Sequence, residues 1–491
     1  MKKVFQKHPF FLLLLPLFIT VHIEKEYHHL INYRFVYKNI LILFMAPFFA
    51  YSICFAFSRS YFKAGVQSFI LLFAFYFFGP IKDFLRLKFA EGFFQSYTFL
   101  LPTTALIITL ILLRVRKKER FEKFCLFLNT TLLVLILIDV GALWFQKNKE
   151  KQNDNTLSPS FVPCTDCHKP DIYYLIFDSY SSSAVLKEEF HFKNTAIDSY
   201  LIKKGFKIIP YSRSNYNLTP FSIGSTFNMN YLADVDTSQD YFLKNYLPAV
   251  EKVYSNQLIP ILEKEGYSIY NHSIFDIASH PSTVPAFDIW EISALYDQHN
   301  IFLKIYSDIG WQFPSWLRLP RKNKLQEYSE NRDVHDSITV NHISNTARLQ
   351  SEKPKFIYGH IFLPHSPYTY NSKGNKIQPV PNLSIEEDKA AYIQQIVYTN
   401  AVIQKLIDSI FHYQKKPFII IIQGDHGYRF FDRTKNNLEF PNFNAIYFPD
   451  KDYHLLGDSL TNVNLFRTIF NKFFDQHYPM LKDHANFLKY K

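Results

Sequence analysis

The chain has 491 residues, 48% hydrophobic and 18% aromatic, with 54 basic and 43 acidic side chains and a net charge of +11. That apolar content excludes a disordered chain, and 13 glycines are too few for a collagen or a Gly-rich linker protein. The charge does not indicate a nucleic-acid partner. The first 150 residues hold 19 Lys and Arg against 8 Asp and Glu, which accounts for the whole excess.

That first third carries five apolar runs, near residues 10–23, 40–57, 66–80, 97–113 and 124–145. A spanning helix needs roughly 20 apolar residues, about 17 at the least. The second, fourth and fifth runs reach that length, and the first and third need flanking aromatics. Residues 1–146 therefore read as a transmembrane domain of about five spans. No small-residue cleavage site follows the first run, which argues against a removable signal. With the N-terminus inside, eleven basic residues fall in the inner segments. Six, namely Lys25, Arg34, Lys38, Lys82, Arg86 and Lys88, fall in the outer loops. This bias places everything after residue 146 outside the cytoplasm.

Residues 147–170 read as a linker, polar and flexible as far as Pro163. Within it, Cys164-Thr165-Asp166-Cys167-His168 has the spacing of c-type haem attachment, of a local disulfide, or of two free thiols. Cys54 and Cys125 lie in the apolar runs and read as packing residues.

Residues 171–491 alternate strand and helix signals. Strands are expected at 171–177, 206–209, 267–270, 355–362, 418–422 and 444–448. Helices are expected at 194–204, 257–265 and 384–412, with a last one capped by Thr461 and running to 473. The pattern predicts an α/β fold, a mostly parallel sheet with helices on both faces. Residues 277–350 resist this reading. They contain Trp290, Trp311 and Trp316 and suggest an insertion near the membrane.

In such a fold ligands bind beyond the carboxyl ends of the strands. Asp178 directly follows the 171–177 strand. Asp425 and His426 follow the 418–422 strand in Gln423-Gly424-Asp425-His426-Gly427. Carboxylate and imidazole together suit Zn or Mn, whereas an all-oxygen set suits Mg better. Thr219-Pro220 reads as a helix start with Thr at the N-cap, which places a hydroxyl where backbone amides favour anions. His365, in Leu363-Pro364-His365-Ser366-Pro367-Tyr368, lies just past a strand, where it can serve a phosphate or a leaving group. His360, inside that strand, reads as structural.

A strand-end Asp, a hydroxyl at a helix start, His-x-Pro-aromatic and Gly-Asp-His-Gly, in that order, resemble the alkaline phosphatase and sulfatase superfamily. With five spans in front, the chain is similar to the membrane-anchored lipoteichoic acid synthase and phosphoethanolamine transferase branch. The resemblance implies a sulfatase-like catalytic domain in a bacterial inner (cell) membrane protein, facing out of the cytoplasm. It implies one divalent metal ion (Mn, Zn or Mg) held by Asp178, Thr219, Asp425 and His426, with Thr219 as nucleophile and His365 on the substrate's phosphate or sulfate. The substrate would be a phospholipid or another anionic ester. The expected activity is transfer of a phospho-headgroup from a lipid to an envelope glycan or lipid through a phospho-threonine. The alternatives are a sulfatase-like hydrolase and a non-catalytic envelope-binding domain. Two departures stand out. Thr219-Pro220-Phe221-Ser222-Ile223 lacks the Cys/Ser-x-Pro-x-Arg of formylglycine sulfatases, and Asp178 stands where the lipoteichoic acid synthase branch often has Glu.

Overall fold

The computed structural model describes all residues except 1, 29–30, 32, 90–91, 118–119, 155–160, 234, 236–239, 242, 286–291, 318–323, 430–432 and 491. Trp290 and part of the expected linker therefore lie outside the described residues. The chain divides into two compact units. One is Met1–Lys149 with Asp288–Arg321, and the other is Glu150–Phe287 with Lys322–Lys491.

In the first unit, four helical segments among the described residues are long and apolar enough to cross a membrane: Val36–Ser58, Tyr61–Arg86, Tyr97–Arg116 and Glu122–Gln146. The third expected run proves longer than its apolar stretch, because its helix continues through Lys82 and Arg86 to Lys88. The first expected run forms a 17-residue helix, Phe11–Tyr27, with Pro16 inside it, at the lower limit for a span. It is packed rather than loose. Phe11, Leu15 and Ile19 are buried, and Asn129 of the last span accepts a hydrogen bond from the Phe11 backbone at 2.6 Å. The last helix, Glu122–Asp154, runs on into the polar stretch expected to be linker.

The second unit is built on a six-stranded sheet: β1 (Asp171–Phe177), β2 (Lys207–Ile208), β4 (Ser268–His272), β5 (Lys355–Ile361), β6 (Phe418–Gln423) and β7 (Asn444–Tyr447), in the order β2-β7-β6-β1-β5-β4. A separate pair joins β3 (Asp240–Tyr241) to β8 (Lys489–Tyr490). β6, β1, β5 and β4 pair in parallel, and β7 alone runs against its neighbours. The fold is thus the expected α/β sheet.

β1, β5 and β6 are buried along their whole length, as continuous apolar runs require when helices cover both faces. On one face Tyr173, Leu175 and Phe177 join Ile420 and Ile422 against Ile396, Ile403 and Ile407 of the helix Ile385–Tyr413. Ser384 and Glu387 close a capping box at the start of that helix. The other face is aromatic: Tyr174 stacks on Tyr358 and meets Phe227 and Phe466, from the helices Thr219–Phe227 and Asn462–Phe473, and Tyr358 also meets Phe227. Strand side chains alternate, so Asp178, two residues past Ile176, points to this aromatic face. His360 pairs with Ile176 and points the same way.

Cys164 and Cys167 are joined as a disulfide. Cys54 and Cys125 are free and buried, as expected.

Candidate active site

Three adjacent parallel strands deliver the site. Asp178 follows β1, with its backbone N–H bonded to the Ile361 carbonyl at 2.9 Å. His360 stands in β5 beside it. Asp425 and His426 follow β6 through Gly424. That glycine is required, because a Cβ there would meet the Tyr180 carbonyl oxygen at 2.4 Å. The helix Thr219–Phe227 closes the fourth side. Leu218, not Thr219, is its cap; Thr219 is the first helical residue and Pro220 the second. The correction moves the threonine hydroxyl inward, to 3.5 Å from His426 Nε2.

The separations are short. His426 Nε2 lies 3.8 Å from Asp178 Oδ1 and 3.5 Å from Asp425 Oδ2, and His360 Nε2 lies 3.6 Å from Asp178 Oδ2. Asp178, His360 and Asp425 each offer one donor atom, all within 4.8 Å of one another, and all three residues are buried. His360, expected to be structural, therefore stands in the donor group; its Nδ1 contacts Tyr358 OH at 3.2 Å and its Nε2 faces inward. The surroundings fix the other members. The Ser179 N–H donates to Asp425 Oδ1 at 3.0 Å. Ser222 and Asn462 donate to the Asp425 carbonyl at 2.6 and 3.1 Å. His426 Nδ1 donates to the Gly427 carbonyl at 2.7 Å, which leaves the Nε2 lone pair directed at the centre.

Asp178 Oδ1, Asp425 Oδ2 and His360 Nε2 are buried without a hydrogen-bond partner among the described residues. Unpaired buried carboxylate oxygens are costly, and convergent ones fit a divalent cation. Burial opposes ionisation of Asp178, but the surrounding His365, His360 and His426 outweigh it and hold the carboxyl well below its usual range. A carboxylate is the form that binds a cation.

His365 sits at the rim. Desolvation depresses its pKa to about 3, against the pull of Asp178 and with help from Arg429 and Arg332, so the imidazole is neutral. Its Nδ1 is bonded to the Ser366 carbonyl. Arg429 links it to the centre, with one guanidinium nitrogen 3.4 Å from His365 Nε2 and the other 2.9 Å from His426 Nε2. The sequence reading missed Arg429, although it stands two residues past the Gly-Asp-His-Gly turn, where a basic residue has little room to leave the site.

The structure brings Asp178, Thr219, Asp425 and His426 together, and Arg429 connects His365 to them. No curated protein matches the chain. Among solved structures, the C-terminal periplasmic domain of EcEptC from Escherichia coli is 13% identical, with 67% of this chain and 93% of that one covered and a TM-score of 0.41. The integral membrane lipooligosaccharide phosphoethanolamine transferase A of Neisseria meningitidis is 12% identical over 94% of this chain and 95% of that one, with a TM-score of 0.39. An alkaline phosphatase superfamily protein of Vibrio parahaemolyticus is 13% identical over 66% and 73%, with a TM-score of 0.37. The family pattern for Sulfatase matches residues 235–487, just over half of the chain, and takes in His360, His365, Asp425 and His426. The chain therefore belongs to the sulfatase family.

Proposed function

We propose that the protein is a membrane-anchored phosphotransferase. It moves a phospho-headgroup from a phospholipid to an envelope glycan or a second lipid, through a phospho-Thr219 intermediate. The observation that carries this reading is the placement of Thr219 Oγ1, at the start of a nine-residue helix, 3.5 Å from His426 Nε2, which itself lies 3.8 and 3.5 Å from Asp178 Oδ1 and Asp425 Oδ2, buried oxygens with no hydrogen-bond partner among the described residues.

Asp178, Thr219, Asp425 and His426 would hold one divalent cation, with His360 beside them. Bound there, such an ion acidifies a hydroxyl and neutralises phosphoryl charge. Thr219 gives up its proton and Oγ1 forms a bond to phosphorus, while the bond from phosphorus to the lipid alcohol breaks. The proton that Thr219 gave up passes through water to the departing oxygen on the His365 side of the site. The acceptor hydroxyl then attacks phosphorus, loses its own proton and restores Thr219. The Arg429 guanidinium faces the phosphoryl oxygens. Residues 1–146 act as anchor and 171–491 as catalytic domain, in a bacterial inner membrane protein whose catalytic part lies outside the cytoplasm. The disulfide Cys164–Cys167, which belongs to an oxidising compartment, supports that location.

The family match also favours plain ester hydrolysis, which needs only water as acceptor. Hydrolysis of sulfate esters through formylglycine is disfavoured, because threonine cannot be converted to that aldehyde. The test uses a phospholipid labelled in its headgroup. The parent protein should acquire label on the peptide holding Thr219 and pass it to an alcohol acceptor. Thr219→Ala should acquire none, with turnover lower by roughly a thousandfold or more. Equal turnover in both proteins would refute the assignment.

A further inference from the structure

The block Asp288–Arg321 is inserted in the sequence of the catalytic unit, yet it packs with the membrane unit. Its helices Ile292–Asp297 and Ile301–Ile309 pack against the helices Tyr33–Ser58 and Tyr61–Lys88, and the short turns Gly310–Gln312 and Ser315–Leu317 follow them in the chain. Asn39, near the start of the span Val36–Ser58, donates to the Asp297 carboxylate and, at 3.5 Å, to the Ser293 carbonyl. His299 Nδ1 donates to the Tyr76 carbonyl at 3.0 Å. At Gly79 a Cβ would collide with the Gln298 carbonyl oxygen at 2.2 Å, so the glycine is what permits this approach.

Charge and depth then point to what covers the outer face. From Ile301 to Leu317 only Lys304 and Asp308 are charged. Both are spent on the spans: Lys304 on Asp83 at 2.8 Å, and Asp308 on Lys82 at 3.0 Å and on Tyr97 OH at 2.7 Å. What remains outward is uncharged: large apolar side chains, with Ser307, Gln312 and Ser315 between them. Phe302 is 72% exposed, Trp311 71%, Trp316 79% and Leu317 48%. Lys82 is the first charge after the apolar run of its span, and Phe75 lies about 10 Å inside that point at a helical rise of 1.5 Å per residue. The Phe302 ring sits 6.0 Å from the Phe75 ring, so it shares that depth. The neighbouring ends of the spans carry exposed Phe84, Phe89, Phe93 and Phe94, apolar rings of the kind an interfacial segment buries.

We infer that residues 301–317 form an interfacial membrane anchor, with Phe302 at acyl depth and Trp311 and Trp316 at the headgroup boundary of the leaflet on the Lys82 side. The occupant of this face is the lipid bilayer. Tryptophan suits that boundary because its ring is apolar and its N–H can reach water. The catalytic unit is thereby fastened to the membrane through its own insertion as well as through the chain at residue 149. The inference depends on the apolar helices spanning a membrane and not on the transfer chemistry.

The full chain carrying Trp144→Phe and Trp290→Phe keeps only Trp311 and Trp316 as reporters. In nanodiscs of phosphatidylcholine dibrominated high on one acyl chain, emission should fall at least twofold relative to unbrominated lipid, and aqueous iodide should quench little. Emission unchanged by bromolipid but strongly quenched by iodide would place the tryptophans in water and overturn the inference. Insensitivity to both quenchers would show the face covered by protein, a second copy included, and would overturn it equally.

Discussion

At the scale of single residues, the lone pair of His426 Nε2 can serve one partner at a time. In this structure Arg429 donates to it at 2.9 Å, so guanidinium and cation compete for the same atom. Arg429→Ala should therefore raise metal affinity, by about tenfold if one charge-assisted hydrogen bond is at stake. It should also lower kcat/KM for an anionic lipid donor by roughly 10- to 100-fold, because a contact to the phosphoryl group is lost. Metal titration by calorimetry beside transfer kinetics checks both signs. A fall in both quantities would show Arg429 to be a support of the centre instead of a competitor for it. His365 makes a different prediction. Desolvation holds its pKa at about 3, below its ordinary 6.5, so the group is already neutral well below neutrality and stays so as pH rises. A cation nearby pushes it further down. In the free enzyme, kcat/KM should then show no His365 ionisation between about pH 5 and 8. The sharp comparison is with His365→Gln: an inflection near 6.5 present in the parent and absent in the variant would contradict the burial argument.

At the scale of elements, the buried runs of the sheet were legible because continuous Ile- and aromatic-rich stretches bounded by polar turns have few other solutions. The strands at 171–177, 355–362 and 418–422 were expected within a residue of β1, β5 and β6. His360 was misread because alternation along one strand says which residues share a face, not which neighbouring strand supplies the partner. The register Ile176 to His360 places its imidazole beside Asp178, and register comes only from pairing. The helix Lys324–Arg348 went unread because its face is broken by Asp333, Asp336 and His335. These are spent on neighbours; the Asp336 carboxylate accepts from the backbones of Phe362 and Leu363 at 2.8 and 3.1 Å, just before the His365 loop. The turn after β6 carries its own prediction. A Cβ at Gly424 meets the Tyr180 carbonyl, a backbone atom that cannot swing aside as a side chain would. Gly424→Ala should therefore displace Asp425 and abolish metal binding even where the chain still folds. Losses of about 1–3 kcal/mol are typical of such overpacking. Metal content and circular dichroism on the same sample check this. Full metal occupancy in a folded variant would show the turn able to yield.

At the scale of the whole molecule, the number of crossings and the side of the catalytic unit are linked by parity. Four spans put both ends of the membrane unit on the same side; a fifth puts them on opposite sides. The undecided segment is Phe11–Tyr27, at 17 residues about 25 Å long against a hydrocarbon core of roughly 30 Å. Its length is marginal, but its flanks are not. Lys2, Lys3 and Lys7 precede it without a single acidic residue, and such a cluster is held on the cytoplasmic side. If the Cys164–Cys167 disulfide marks the far side, charge and redox chemistry agree only when this short helix crosses. Lys3→Cys, in a chain whose Cys54 and Cys125 are replaced by Ser, should then resist a membrane-impermeant maleimide in intact cells and react after permeabilisation. A cysteine introduced at exposed Lys353 of the catalytic unit should react in intact cells when the outer envelope is open. Labelling of Lys3→Cys in intact cells would leave four crossings. The N-terminal helix would then be a packed flank of the bundle, and the basic residues before it would have overruled nothing.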